Sequence, residues 1–96
     1  MRIVRGGSAE TASGKWVKFD VELDESDIQR ILIANDIAGH VLSVRDAFQL
    51  LEAEAEFLVV AKMTQLGAVG DISFEDARGR ANKILNKIKD NFNSEV

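Results

Sequence analysis

His40 is the single histidine of the chain, and cysteine is absent. Acid–base or nucleophilic chemistry needs such a group held beside a positioned partner. The nearest hydroxyl, Ser43, is better explained as a helix cap. A structural or solvent-facing imidazole is therefore expected. The acidic series Asp20-x-Glu22-x-Asp24 opens with the spacing of a calcium loop and then departs from it. Its sixth position is Glu25 where the loop requires Gly, and its twelfth is Ile31 where the loop requires Glu. The series reads instead as the solvated face of a strand running into a helix start. A sharper alternative is a row of carboxylates that imitates a phosphate backbone and guides docking to a basic groove of a partner. Gly6-Gly7, Gly67 and Gly70 fit neither a phosphate loop nor a dinucleotide fingerprint. No catalytic residue, cofactor or metal ligand is assigned, and a non-enzymatic role is expected.

The remaining candidates are contact residues. Trp16 falls on the polar side of an alternating segment, where an exposed indole anchors interfaces; packing under the amino-terminal loop is the rival. Lys18, Asp20 and Glu22 share that side. Phe57 and Val60 are the expected helical interface. Arg80, Lys83 and Lys87 line up on the last helix with Arg78 and Lys89 to one side, which suits phosphate contact. A solvated face is favoured, because Asp76 and Asp90 stand nearby and the segment is neutral overall. Glu54 and Lys62 interrupt the apolar arc of the middle helix. They either pair with a neighbouring helix or lie at its edge, and the edge is slightly favoured.

These residues need elements to hold them. Residues 6–14, GGSAETASG, read as a flexible loop. Arg2–Arg5 and Lys15–Leu23 are extended candidates on either side. The second alternates Val17, Phe19, Val21 and Leu23 with Trp16, Lys18, Asp20 and Glu22, the period of a half-buried strand. Such a strand needs Arg2–Arg5 or the same strand of another subunit beside it. Asp24 caps a helix placed at Glu25–Ala38, with Gly39 as its stop. Ser43-Val-Arg-Asp46 resembles a capping box. It opens a Pro- and Gly-free helix from Val44 to about Leu66, with Gly67 as stop.

Two apolar seams are expected on that helix: Val44, Phe48, Leu51, Ala55 and Leu58, and Leu50, Ala53, Phe57 and Val60. Arg45, Gln49, Glu52 and Glu56 form the solvent stripe. Two seams imply two neighbours, supplied by helices one and three or, for one seam, by a second chain. After a turn at Gly67–Asp71, Ser73-Phe-Glu-Asp76 caps a third helix. Phe74, Ala77, Ala81, Ile84, Leu85, Ile88 and Phe92 lie on one of its arcs.

The expectation is a mainly α fold (α+β at the amino terminus), a three-helix domain with a long central helix. A short β-hairpin or dimer-forming β-ribbon precedes it. Residues 1–14 form an arm with a short strand, 15–92 a single globular domain, and 93–96 a frayed end. Ninety-six residues suffice for one core with little margin, which keeps a shared oligomeric core open. The net charge is −4 and uneven. Arg2, Arg5, Lys15 and Lys18 outweigh Glu10 in residues 1–18, whereas six carboxylates face Arg30 in residues 20–36. The basic arm therefore suits the acidic segment, of its own chain or of a neighbour's. The start lacks the apolar stretch of a signal peptide. The longest apolar run, Phe57–Ala61, is far short of a bilayer span. A cytoplasmic, membrane-free protein is expected.

The order strand, helix, Gly-containing turn and Ser-capped helix over about Lys15 to Leu58 resembles the ribbon-helix-helix regulators. The resemblance implies a strand paired across a dimer and outward side chains that read DNA. Lys18, Asp20 and Glu22 would be that outward set, and two of the three carry the sign of the phosphates. The leading expectation is thus a small protein-interaction, assembly or inhibitory module. It acts as a homo-oligomer on a protein partner through Trp16, Lys18, Asp20, Glu22, Phe57 and Val60. The alternative is a ribbon-helix-helix-like DNA-binding regulator, with Lys18, Arg80, Lys83 and Lys87 on nucleic acid.

Overall fold

A computed structural model describes residues 1–68 and 72–94. Two antiparallel strands, β1 (Arg2–Glu10) and β2 (Trp16–Asp24), precede three helices: α1 (Glu25–Ala34), α2 (Val44–Gln65) and α3 (Phe74–Ser94). This is the expected hairpin and three-helix domain. Residues 95 and 96, part of the expected frayed end, lie outside the described residues, as do 69–71 of the expected Gly67–Asp71 turn.

The amino terminus differs from the expected loop. β1 continues through Gly6, Gly7, Ser8 and Ala9, and only residues 11–15 turn the chain. Thr11 donates its amide to Lys15 O at 2.8 Å, and Gly14, at φ +81°, donates to Thr11 O. The register runs without interruption from Arg2↔Asp24 to Glu10↔Trp16. Glycine in this strand has a packing reason, since Gly7 pairs with Phe19. A Cβ at Gly7 would fall 2.4 Å from the Phe19 ring, so only glycine admits the ring there. Composition alone suggested a loop; the aromatic cross-strand partner makes it a strand.

Asp24 caps α1 with a reciprocal box, its carboxylate taking the Ser26 and Asp27 amides while the Asp27 carboxylate takes the Asp24 amide. The helix stops at Ala34, four residues before the expected end. The amide of Ile37 bonds Leu32 O at 3.0 Å and that of Asp36 bonds Ile33 O at 3.2 Å. These are the two bonds of a Schellman ending. Asp36 supplies its left-handed residue at φ +62°, and Ile37 folds back into the core with Leu32. Asn35 adds a side-chain bond to Ile31 O. Gly39, at φ +85°, serves the following turn rather than the helix end.

The α2 boundaries follow the sequence. The Ser43 hydroxyl takes the Asp46 amide, and Gly67 at φ +79° closes a second Schellman ending, with Ala68 bonding Met63 O and Gly67 bonding Thr64 O. Its 22 residues span about 33 Å. α2 is covered on two flanks, by α3 and by the hairpin, and α1 packs more lightly. Leu50 enters a cluster with Leu32, Ile37, Leu85 and Ile88. The next residue, Leu51, enters a second cluster with Ile3 and Ala55 beneath the hairpin. Each fully buried Leu or Ile contributes about 2 kcal/mol over an exposed one.

The seams themselves are corrected. Val44, Phe48 and Leu58 are exposed, while Ala47, Leu50, Leu51, Glu54 and Ala55 are buried. The covered arc is narrower and rotated from the expected one because the hairpin, not a second helix, lies on that flank. Glu52 and Glu56 of the expected solvent stripe are half-covered. They pair with Arg5 at 3.1 Å and Arg80 at 3.0 Å. On α3, Ala77, Ala81, Leu85 and Ile88 are buried as the arc requires, and Phe74 is exposed at the first turn.

Candidate functional site

β2 sorts its side chains by parity. Val17, Phe19, Val21 and Leu23 are half-buried toward the helices, and Trp16, Lys18, Asp20 and Glu22 are exposed on the opposite face. The hairpin thus gathers four of the expected contact residues in one row. Trp16 is 66% exposed, so packing under the amino-terminal loop does not occur. Across the hairpin it faces Glu10, Lys18 faces Ser8, Asp20 faces Gly6 and Glu22 faces Val4. The bare backbone at Gly6 leaves a shallow hollow bounded by Ser8, Lys18 and Asp20. Glu22 is tied to Arg2 at 2.7 Å, and the terminal ammonium reaches Glu25 at 2.5 Å. Arg2 and the terminus therefore rest on the acidic segment as its charge implies, whereas Arg5 turns inward to Glu52 on α2. Val4, opposite Glu22, is exposed on the same face and adds an apolar side chain that the sequence reading did not single out.

The Asp20, Glu22 and Asp24 carboxylates do not form a cage. They alternate down the exposed strand face, and Asp24 is spent as the α1 cap. Among the described residues no cluster of His, Cys, Asp or Glu is arranged to hold a metal ion. Asp24 is held below its ordinary pKa of 3.8, first by the Ser26 hydroxyl and then by the Ser26 amide, with Arg30 adding attraction. This is the signature of a helix cap. His40 packs its ring edge-on against Phe92, with centroids 5.1 Å apart.

The expected helical pair is elsewhere on the molecule, on α2. Phe57 is half-buried against Phe74, with ring centroids 5.0 Å apart, and the Arg78 guanidinium stacks 4.5 Å over its ring. Val60 is half-buried one turn on, and its carbonyl accepts the Thr64 hydroxyl. Arg78 also grips Glu54, with Nη2–Oε1 at 2.7 Å and Nη1–Oε2 at 3.4 Å. Glu54 is 8% exposed and is no edge residue, so that expectation is corrected. The fork of Arg78 supplies the partner that makes its burial tolerable. Lys62 is exposed.

Arg80, Lys83 and Lys87 are exposed on α3, and Arg80 is bound to Glu56. That leaves the alternative nucleic-acid set divided between the hairpin, which holds Lys18, and α3. A groove where α1, α2 and the end of β2 meet has no counterpart in the sequence reading. Leu23, Ile31, Ala34 and Leu58 line it together with Asp27, Arg30 and Glu54. Its residues come from three elements, so no local pattern announces it. No helix among the described residues is long and apolar enough to cross a membrane. The chain matches no family model, no curated protein and no solved structure.

Proposed function

We propose that the chain is a non-enzymatic protein-interaction module, an assembly or inhibitory domain that acts in the cytoplasm as a homo-oligomer on a protein partner. One observation carries the reading. A largely exposed Trp16 heads a row of Lys18, Asp20 and Glu22 on a two-stranded face. A large indole with charges of both signs around it is the composition of an interface anchor and its rim. The β-hairpin sets the backbone positions of these side chains before binding, so docking need order only the side chains themselves. Phe57 and Val60 offer a second contact region on α2.

The test is capture from source-cell lysate with nuclease treatment, comparing the native chain with Trp16→Ala. A partner retained after nuclease and lost with Trp16→Ala supports the module. The ribbon-helix-helix-like alternative predicts salt-sensitive DNA retention that Lys18→Glu or Arg80→Glu abolishes. The module reading predicts no DNA retention even at low salt.

A further inference from the structure

Among the described residues the sheet has two strands, so each leaves one edge unpaired. The edges are not equivalent. β1 carries Arg5 on its core face and Gly6-Gly7 in its middle, and an inward-facing charge is a device that blunts a sheet edge. Ile3 and Ala9 on its core face are also fully covered. β2 carries neither proline nor inward-facing charge, and its register with β1 contains no bulge. Its core-face residues Val17, Phe19, Val21 and Leu23 are only half-covered, and Leu23, near the strand's end, lines a groove with Ile31, Ala34 and Leu58.

The phase of the ladder states which groups face outward. The Thr11 amide bonds Lys15 O, so the odd residues of β2 make the bonds to β1. In an antiparallel ladder the alternate residues then direct N–H and C=O to the open side. Those are Trp16, Lys18, Asp20 and Glu22. Within the hairpin, Lys18 and Asp20 stand opposite uncharged Ser8 and Gly6.

We propose that β2 pairs antiparallel with β2 of a second copy, about a two-fold axis at Phe19, to make one continuous four-stranded sheet. Charge selects this register. With the axis at Phe19, Lys18 of each copy faces Asp20 of the other, Trp16 faces Glu22 and Val17 faces Val21. Moving the axis to Asp20 sets that carboxylate against itself, and moving it to Val21 sets Asp20 against Glu22. Like charges directly opposite are unfavourable. The half-covered Val17, Phe19 and Val21 rows of both copies would become one apolar surface under the joined sheet.

This inference rests on the reading of the chain as a self-associating module and names the surface that does it. The test is sedimentation equilibrium of the full chain with four variants. Asp20→Pro removes an amide that points to the open edge and leaves the β1 ladder whole. It should abolish dimers while circular dichroism shows the native helix content. Lys18→Glu or Asp20→Lys alone should weaken the dimer about tenfold or more, since each turns two attractive pairs repulsive. Lys18→Glu with Asp20→Lys should restore it. A dimer that survives Asp20→Pro overturns the edge pairing while leaving self-association through another surface standing. A strict monomer at every concentration overturns both. Lack of rescue by the double variant overturns the register centred on Phe19.

Discussion

The Phe19 ring fills the space that a side chain at Gly7 would occupy: an ideal Cβ there would meet Cζ at 2.4 Å and Cε2 at 2.7 Å. The two residues are cross-strand partners on the core face of the hairpin. Gly7→Ala should therefore destabilise the fold by about 1–2 kcal/mol in urea titration, because the ring must leave its position. In the Phe19→Ala background the same change should cost much less, since the obstruction is gone. A double-mutant cycle measures that coupling. Equal costs in both backgrounds would contradict the packing described.

Glu54 and Arg78 set a contrast with Glu56 and Arg80. Both pairs join α2 to α3, but Glu54 is buried whereas Arg80 is exposed and Glu56 only half-covered. Removing Glu54 takes the bidentate partner from a partly buried guanidinium and leaves it the Asn82 side-chain oxygen at 3.2 Å and the Phe57 ring. Glu54→Ala should cost about 2 kcal/mol or more. Glu56→Ala should change stability by only about 0.5 kcal/mol, and less as salt rises. Urea unfolding at low and high salt distinguishes them.

Asp24 gives the fold one defined acid dependence. Its carboxyl is held below 3.8 in the folded chain, chiefly by the Ser26 hydroxyl. A depressed folded pKa means that the cap's stabilisation is complete above the ordinary value and is lost as pH falls through the folded one. Asp24→Ala should therefore melt earlier than the native chain by a constant margin between neutrality and about pH 5. The margin should narrow once the pH passes below 3.8. Thermal melts followed by circular dichroism across that range measure it.

The Schellman ending of α1 places a non-glycine residue, Asp36, at φ +62°. An aspartate tolerates this region better than most side chains but at some cost. Asp36→Gly should raise stability by about 0.5 kcal/mol, or the melting temperature by about 3 °C, despite the added freedom of the unfolded chain. Asp36→Val should lower it. A melting temperature unchanged in both would mean that this position is not left-handed.

Local signals carried most of the architecture. The strict alternation of Val17 to Leu23, the caps Asp24, Ser43 and Ser73, and the Gly67 stop each depend on neighbours within a few residues, so one sequence suffices to see them. Three features differ from that reading. The length of β1 was hidden because Gly7 is explained by Phe19, twelve positions away. The end of α1 was misplaced because Asp36 took a role usually given to glycine, and Gly39 stood close by as a stronger signal. The burial of Glu54 was hidden because its partner Arg78 lies on another helix. The row of Trp16, Lys18, Asp20 and Glu22 was legible from alternation, whereas the groove beside β2 is assembled from three elements.

Trp16 offers the most direct test of the proposed role, because it is the sole tryptophan and contributes little to the core. Its fluorescence in dilute protein should be quenched by iodide almost as freely as that of free indole. Trp16→Ala should leave the melting temperature nearly unchanged, since a side chain already in water loses little on removal. A partner that uses the hairpin face must cover the indole. Quenching should then fall when the captured partner is added, and Trp16→Ala should weaken the complex by about 2 kcal/mol, roughly thirtyfold in Kd. Unchanged quenching in a saturated complex would place the partner on another surface, with the α2 region around Phe57 and Val60 next to be tested.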